Sequence, residues 1–238
     1  MNILNAIVLF LIAVYIAQGF HKGFLVSVGN TLGLVVSWII SIIFSPLLSK
    51  AIYEGDFYSF LLNLTEGSSR LADQSEGSLV VSSLSQSKVH MLVSDSAQNL
   101  PMPFADLIED NMNNLAFQQD GFSTVNDYFN YTVADVVVNI FAFLIIYAIT
   151  RVIIALLINA VNFASPLPVL RRFDGCAGGA VGFLRGFLEM FAFAMLIPVM
   201  LISMPVGGDI LSDMLADSSI VTWFYQNDFL LNLISGVI

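Results

Sequence analysis

Two long stretches at the start of the chain, Met1 to Phe20 and Phe24 to Ser49, contain no charged residue. A helix rises about 1.5 Å per residue, so roughly 20 apolar residues cross a hydrocarbon core of about 30 Å. Inside lipid the backbone must satisfy its own N–H and C=O groups, and a helix does so within one segment. Two further apolar runs follow. One extends from near Val133 to Asn162, interrupted by Asp135 and Arg151, and the other from Gly175 to Met204, with Arg185 and Glu189 inside it. The runs predict an all-α polytopic membrane protein with four transmembrane helices at about 2–20, 24–45, 134–161 and 175–203. Pro46 is expected to close the second helix, because proline lacks the donor that a helix interior needs. Pro166, Pro168 and the pair Arg171-Arg172 mark the turn between the last two.

Composition supports the same class and excludes several others. Charged residues are 11% of the 238 positions and hydrophobic ones 57%, whereas a soluble domain carries about 25% charge. A net charge of −10 argues against nucleic acid, whose phosphates bind Lys and Arg, and against a polybasic membrane tether. Cys176 is the single cysteine, and His21 and His90 are the only histidines. No intramolecular disulfide, metal site or cofactor is expected from so few ligands. The first run lacks a basic start and a small-residue cleavage signal, so it reads as a retained helix.

The placement of Lys and Arg suggests an orientation. The turn after the first span holds His21 and Lys22, and the one after the third holds Arg171 and Arg172. Short basic loops stay in the cytoplasm. The spans then form two hairpins with both termini and an insertion at 46–133 on the extracytoplasmic side. Between Pro46 and Ala134 the chain has eleven acidic residues against Lys50, Arg70 and Lys88. Its Ser- and Gln-rich part, Gly67 to Ser96, reads as loop or weakly ordered helix. Two pieces show helical apolar spacing: Phe57, Phe60, Leu61 and Leu64, then Phe104, Leu107, Ile108, Met112 and Leu115. Two readings of the insertion stay open, a cap lying on the bilayer edge and a lid that recognises a peptide or another envelope protein. The acidic tail, 205–238, is expected to hold interfacial helices on the extracytoplasmic side.

Within the spans, small residues recur at helical spacing. Gly178, Gly182 and Gly186 line one face of the fourth, and Gly29, Gly33, Ser37, Ser41 and Ser45 line one face of the second. Small residues let helices approach closely in lipid, where no hydrophobic drive brings them together. The partner helix belongs either to the same chain or to another copy, as in a homo-oligomer. Charges inside a span are costly and face the protein interior. Counted from the helix ends, Arg151 and Arg185 lie roughly 10 Å into the bilayer, and Glu189 one turn beyond. Arg185 and Glu189 share a face at i,i+4 spacing, which predicts a cluster of Arg151, Arg185 and Glu189 joining the third and fourth spans. The cluster reads either as a structural clamp or as part of a substrate or ion path. Asp174, just before the fourth span, suits a cap on that helix.

The sequence Asp174-Gly-Cys-Ala-Gly178-Gly-Ala-Val-Gly182-Phe-Leu-Arg185-Gly186 resembles the signature of the colicin V production (CvpA) family. The turn Gly19-Phe20-His21-Lys22-Gly23-Phe24 is similar to that family's first hairpin. Gly175 and Asn5 depart from the family's usual Arg and Asp, and the insertion is longer than in its compact form. The resemblance implies a multi-pass inner-membrane protein linked to colicin V production or export and to envelope stress tolerance. No GxSxG, Walker A, GxGxxG after a strand, HExxH or CxxC motif occurs, so a non-enzymatic role is expected. Two other roles stay open: a small channel or transporter using the Arg–Glu cluster, and a scaffold that recruits a partner through the insertion.

Overall fold

The computed structural model describes residues 2–160, 173–204 and 209–235. In chain order the helices are α1 (Ile3–Lys22), α2 (Phe24–Tyr53), α3 (Asp56–Thr65), α4 (Gln86–Ser96), α5 (Phe104–Asn113) and α6 (Val125–Ala160). Then come α7 (Asp174–Ala194), α8 (Leu196–Ile202), α9 (Asp209–Ala216), α10 (Ser219–Gln226) and α11 (Phe229–Ser235). Among the described residues there is no strand, and a lone bridge joins Val80 to Thr124. Four helical stretches are long and apolar enough to cross a bilayer: Ile3–Lys22, Phe24–Tyr53, Val125–Ile158 and Asp174–Ile202. The protein is all-α and multi-pass.

Helix boundaries differ from the sequence reading in three places, each for a local reason. Pro46 lies inside α2 and does not end it. The carbonyl of Ile42, which would otherwise accept from residue 46, accepts instead from the Ser45 hydroxyl at 3.4 Å. The third apolar stretch belongs to a helix that starts at Val125, well before Val133. Asp127 fixes that start, its Oδ2 accepting from the backbone N–H groups of Ser123 and Thr124. The fourth span breaks at Met195, between α7 and α8. Pro198 accounts for this, since its ring crowds the carbonyl four residues earlier, that of Ala194.

The chain divides into two compact units. The first comprises Met1–Ser45, Phe143–Ala194 and Asp213–Asp228. Here α1 and α7 run antiparallel at very close range: Gly178 meets the Gly19 carbonyl, Gly182 that of Tyr15, and Gly186 the Tyr15 side chain. A Cβ at Gly178 or Gly182 would collide with those backbone atoms. The glycine series therefore has a partner within the chain, in α1. The small face of α2 meets α6, with Gly33 under Ile154 and Ile158. The hydroxyls of Ser37 and Ser41 donate to Gly33 O and Ser37 O in their own helix, both at 2.7 Å. The tail joins this unit through Asn2, the N-cap of α1, which meets α9, and through Asn5 of α1, which meets the start of α10. Asn5 Oδ1 accepts from Ser218 Oγ and from the Ile220 N–H at 2.6 and 3.1 Å, and the Asn2 amide donates to the Met214 carbonyl.

The second unit comprises Pro46–Ala142, Met195–Ser212 and Phe229–Ile238. Its interior is a conventional apolar core: Leu61, Val89, Leu92, Phe104, Ile108, Met112, Phe129 and Ile140 are buried. The Ser- and Gln-rich stretch, expected as loop or weakly ordered helix, is folded into it as short helical pieces. It winds through short 3-10 turns at Gly67–Arg70, Gln74–Ser78 and Val81–Ser83 before α4. Buried Arg70 donates to the carbonyls of Ile202 and Met204, satisfying the end of α8. On α5, Phe104, Ile108 and Met112 point inward while Asp106 and Asp110 stay exposed, as their spacing predicted. On α3 the apolar residues split: Leu61 is buried, but Phe57, Phe60 and Leu64 remain exposed.

Candidate functional site

The predicted charge cluster forms, within the first unit. Glu189 on α7 is 5% exposed. Its Oε1 accepts from Arg151 on α6, from Nε at 3.3 Å and Nη2 at 3.1 Å. Arg185 Nη2 lies 3.8 Å from the same oxygen, one helical turn away on α7. Sequence reasoning missed two tyrosines that complete the site. The Tyr147 hydroxyl donates to Glu189 Oε2, and the Arg185 guanidinium sits 4.8 Å above the Tyr15 ring centre on α1. Tyr147 was detectable, being four residues before Arg151 and on the same face. Tyr15 was not, because only the packing of α1 on α7 brings it close.

The carboxylate is thus held on both oxygens, and the cluster carries one more positive than negative charge. Arg151 Nη1 and Arg185 Nε are buried without a hydrogen-bond partner among the described residues. A cation–π contact offsets part of that cost for Arg185. Helices α1, α6 and α7 are cross-linked by this one cluster.

Asp174 acts as a cap, but for a different helix than expected. Its Oδ1 accepts from the Phe24 N–H at 3.0 Å, the first residue of α2. Gly23 allows this with a φ of 79°, and a Cβ there would strike the Asp174 carboxylate. Lys22 is exposed at the end of α1. Arg171 and Arg172 lie outside the described residues. Cys176 is free and exposed, and no group of ligands able to hold a metal occurs among the described residues.

A second candidate lies wholly within the second unit and was not foreseen. A cavity of about 750 Å³ opens there among Tyr53, Tyr58, Phe117, Tyr131, Asp135 and Asn139. The Tyr58 hydroxyl donates to Asp135 Oδ1 at 2.6 Å, and Ser49 donates to Asn139 Oδ1 at 2.8 Å. Burial, and then the Asp135 carboxylate beside it, push the Tyr58 phenol above its usual range, so it stays a donor. The signal for this site was Asp135 itself, a carboxylate in an apolar run, which the rule applied to Glu189 also marks.

Residues 102–228, more than half of the chain, match the family described as Colicin V production protein. The match takes in Asp135, Arg151, Arg185, Glu189 and the glycine series, and leaves α1 and α2 outside it. No curated protein and no solved structure matches the chain. The chain belongs to the colicin V production protein family.

Proposed function

We propose that this protein is a non-enzymatic factor of the cytoplasmic (inner) membrane that supports colicin V production or export and envelope homeostasis by binding partners. The charge cluster is its internal clamp. The observation that carries this reading is the closed state of Glu189, whose two oxygens are both occupied by Tyr147 and the arginines. A group on an ion or substrate path needs a face open to its cargo, and this carboxylate has none free. The serine face of α2 supports the same reading, since the hydroxyls of Ser37 and Ser41 are fully buried and bond their own helix.

The two basic turns face the cytoplasm, and both termini and the insertion lie outside. The insertion meets partners in the envelope, proteins or peptides. Exposed Phe57, Phe60 and Leu64 on α3 fit a helix resting in the bilayer interface.

The test is made in a colicin V producer lacking the gene. Wild-type protein restores toxin release and tolerance of envelope stress. Glu189→Gln lowers both in step with the amount of folded protein in the membrane. In liposomes the wild-type protein leaves the bilayer tight under ion and solute gradients. A flux that Glu189→Gln abolishes would overturn the clamp and install a transport path.

A further inference from the structure

The aromatic cavity of the second unit plays no part in the clamp. Its volume of about 750 Å³ falls within the roughly 300–1,000 Å³ of small-molecule sites. The wall is built of rings. Tyr53 and Tyr58 meet edge to face with centres 5.1 Å apart, Phe122 stacks on Tyr131 at 3.8 Å, and Phe117 lies 6.1 Å from Tyr131. Each ring face is electron-rich and attracts a cation placed within about 6 Å.

Rings alone would accept many flat apolar molecules, so the charged lining decides the sign. Asp135 is only 7% exposed. Tyr58 occupies its Oδ1, and its Oδ2 accepts no hydrogen bond among the described residues. Asp120 adds a second carboxylate to the lining. Among the described residues Lys50 is the single cation of the lining; it is exposed and pairs with neither acid. A buried carboxylate without a cationic partner is costly, and a bound positive charge removes that cost. An inorganic ion is poorly served, since calcium takes about six to eight oxygen ligands and this wall is mainly carbon. The surrounding segment from Pro46 to Ala134, with eleven acidic residues against three basic, concentrates cations from solution.

The geometry points to a binding site for an organic cation, a monovalent ammonium with an apolar body, its charge beside Asp135 and its body on the rings of Tyr58, Phe122 and Tyr131. The site is independent of the clamp, and binding is read without any membrane gradient or toxin assay.

Calorimetric titration of the full-length protein in nonionic detergent tests it. The probe is benzyltrimethylammonium, and the control is phenylmethanesulfonate, a similar benzyl skeleton with the opposite charge. The ammonium binds at one site and the sulfonate gives no binding heat. Asp135→Asn weakens the ammonium at least tenfold, Tyr131→Leu several-fold, and Lys50→Gln binds as tightly as wild type or more so. Should Asp135→Asn fail to fold, Tyr131→Leu and Lys50→Gln decide. Equal binding of both ions, no ammonium binding by the wild type, or Tyr131→Leu and Asp135→Asn indistinguishable from wild type would each overturn the site. So would a loss of ammonium affinity in Lys50→Gln, since removing a neighbouring positive charge cannot weaken a cation held beside Asp135.

Discussion

The two units of this molecule are built on opposite plans. In the first, large apolar side chains face outward: Ile7, Phe10, Leu32, Ile39, Ile149 and Leu156 are all exposed. Its interior holds Asn30, Ser37, Ser41, Thr150 and Glu189, all buried. In the second, Phe104, Ile108, Met112, Phe129 and Phe143's predecessor Ala142 lie inside, while acids such as Asp106, Asp110 and Asp120 lie outside. If the insertion stands in water, as proposed above, the hydrophobic effect drives its apolar surface inward and organises the second unit. Lipid supplies no such drive, and the first unit is held instead by close glycine contacts, hydrogen bonds and one ion cluster. A single chain thus needs two different kinds of core.

The sharpest way to break the comparison is to strike each interior with the change it tolerates least. Glu189→Gln leaves two guanidinium groups in the first unit without their counter-charge. Breaking a buried pair in this way costs about 3–5 kcal/mol. Phe104→Ala in the second unit opens a void in a packed core, at about 3–5 kcal/mol for a phenylalanine. Unfolding in detergent, followed by a fluorophore in each unit, is expected to show the two losses as separate transitions. If Phe104→Ala disturbs only the first unit's probe, the division into two cores is wrong.

Surfaces give a smaller but cleaner contrast. Ile149 and Met91 are similarly exposed, at 56% and 53%. If the first faces lipid and the second water, the same substitution has different consequences. Ile149→Lys puts a charge in the hydrocarbon, at about 2.5–3.5 kcal/mol on insertion scales. Met91→Lys changes stability by about 0.5 kcal/mol or less, as most surface substitutions do. Glycosylation-based insertion assays on α6 and thermal unfolding of the Met91 variant check the pair. Equal effects would remove the lipid–water distinction between the units.

The same contrast explains what could be read in the sequence. Charge-free runs announced the spans because lipid excludes charge along a whole helix, and Glu189 and its arginines stood out against that background for the same reason. The Ser-rich stretch from Gly67 to Ser96 gave no such signal. Its order comes from distant contacts, such as the Ser68 N–H on Asn130 at 2.6 Å and the Ala72 N–H on Ser96 at 3.0 Å. Pro46 looked like a helix end because the compensating Ser45 hydroxyl is a matter of side-chain geometry. Asp174 was legible as a cap, but not as the cap of α2, since a carboxylate's address depends on which helix folds beside it.

Asn5 provides the finest test, because a polar contact there links the spans to the tail. Its Oδ1 receives both the Ser218 hydroxyl and the Ile220 N–H at the start of α10. That N–H is one of the donors a helix N-terminus leaves unsatisfied, so Asn5 works as a cap supplied from another helix. Asn5→Ala removes it and costs about 1 kcal/mol, the usual value for a lost cap. Asn5→Asp keeps the acceptor and adds a charge that the α10 dipole favours. It should therefore retain or raise stability where alanine lowers it. Hydrogen exchange at Ile220 reads this locally: faster in Asn5→Ala, unchanged or slower in Asn5→Asp. Equal exchange in all three proteins would mean that α10 is held by its aromatic contacts alone, Phe224 against Phe187 and Phe191. In that case the first unit, too, would owe its tail to apolar packing, and the contrast between the two cores would narrow to the charge cluster and the glycine face.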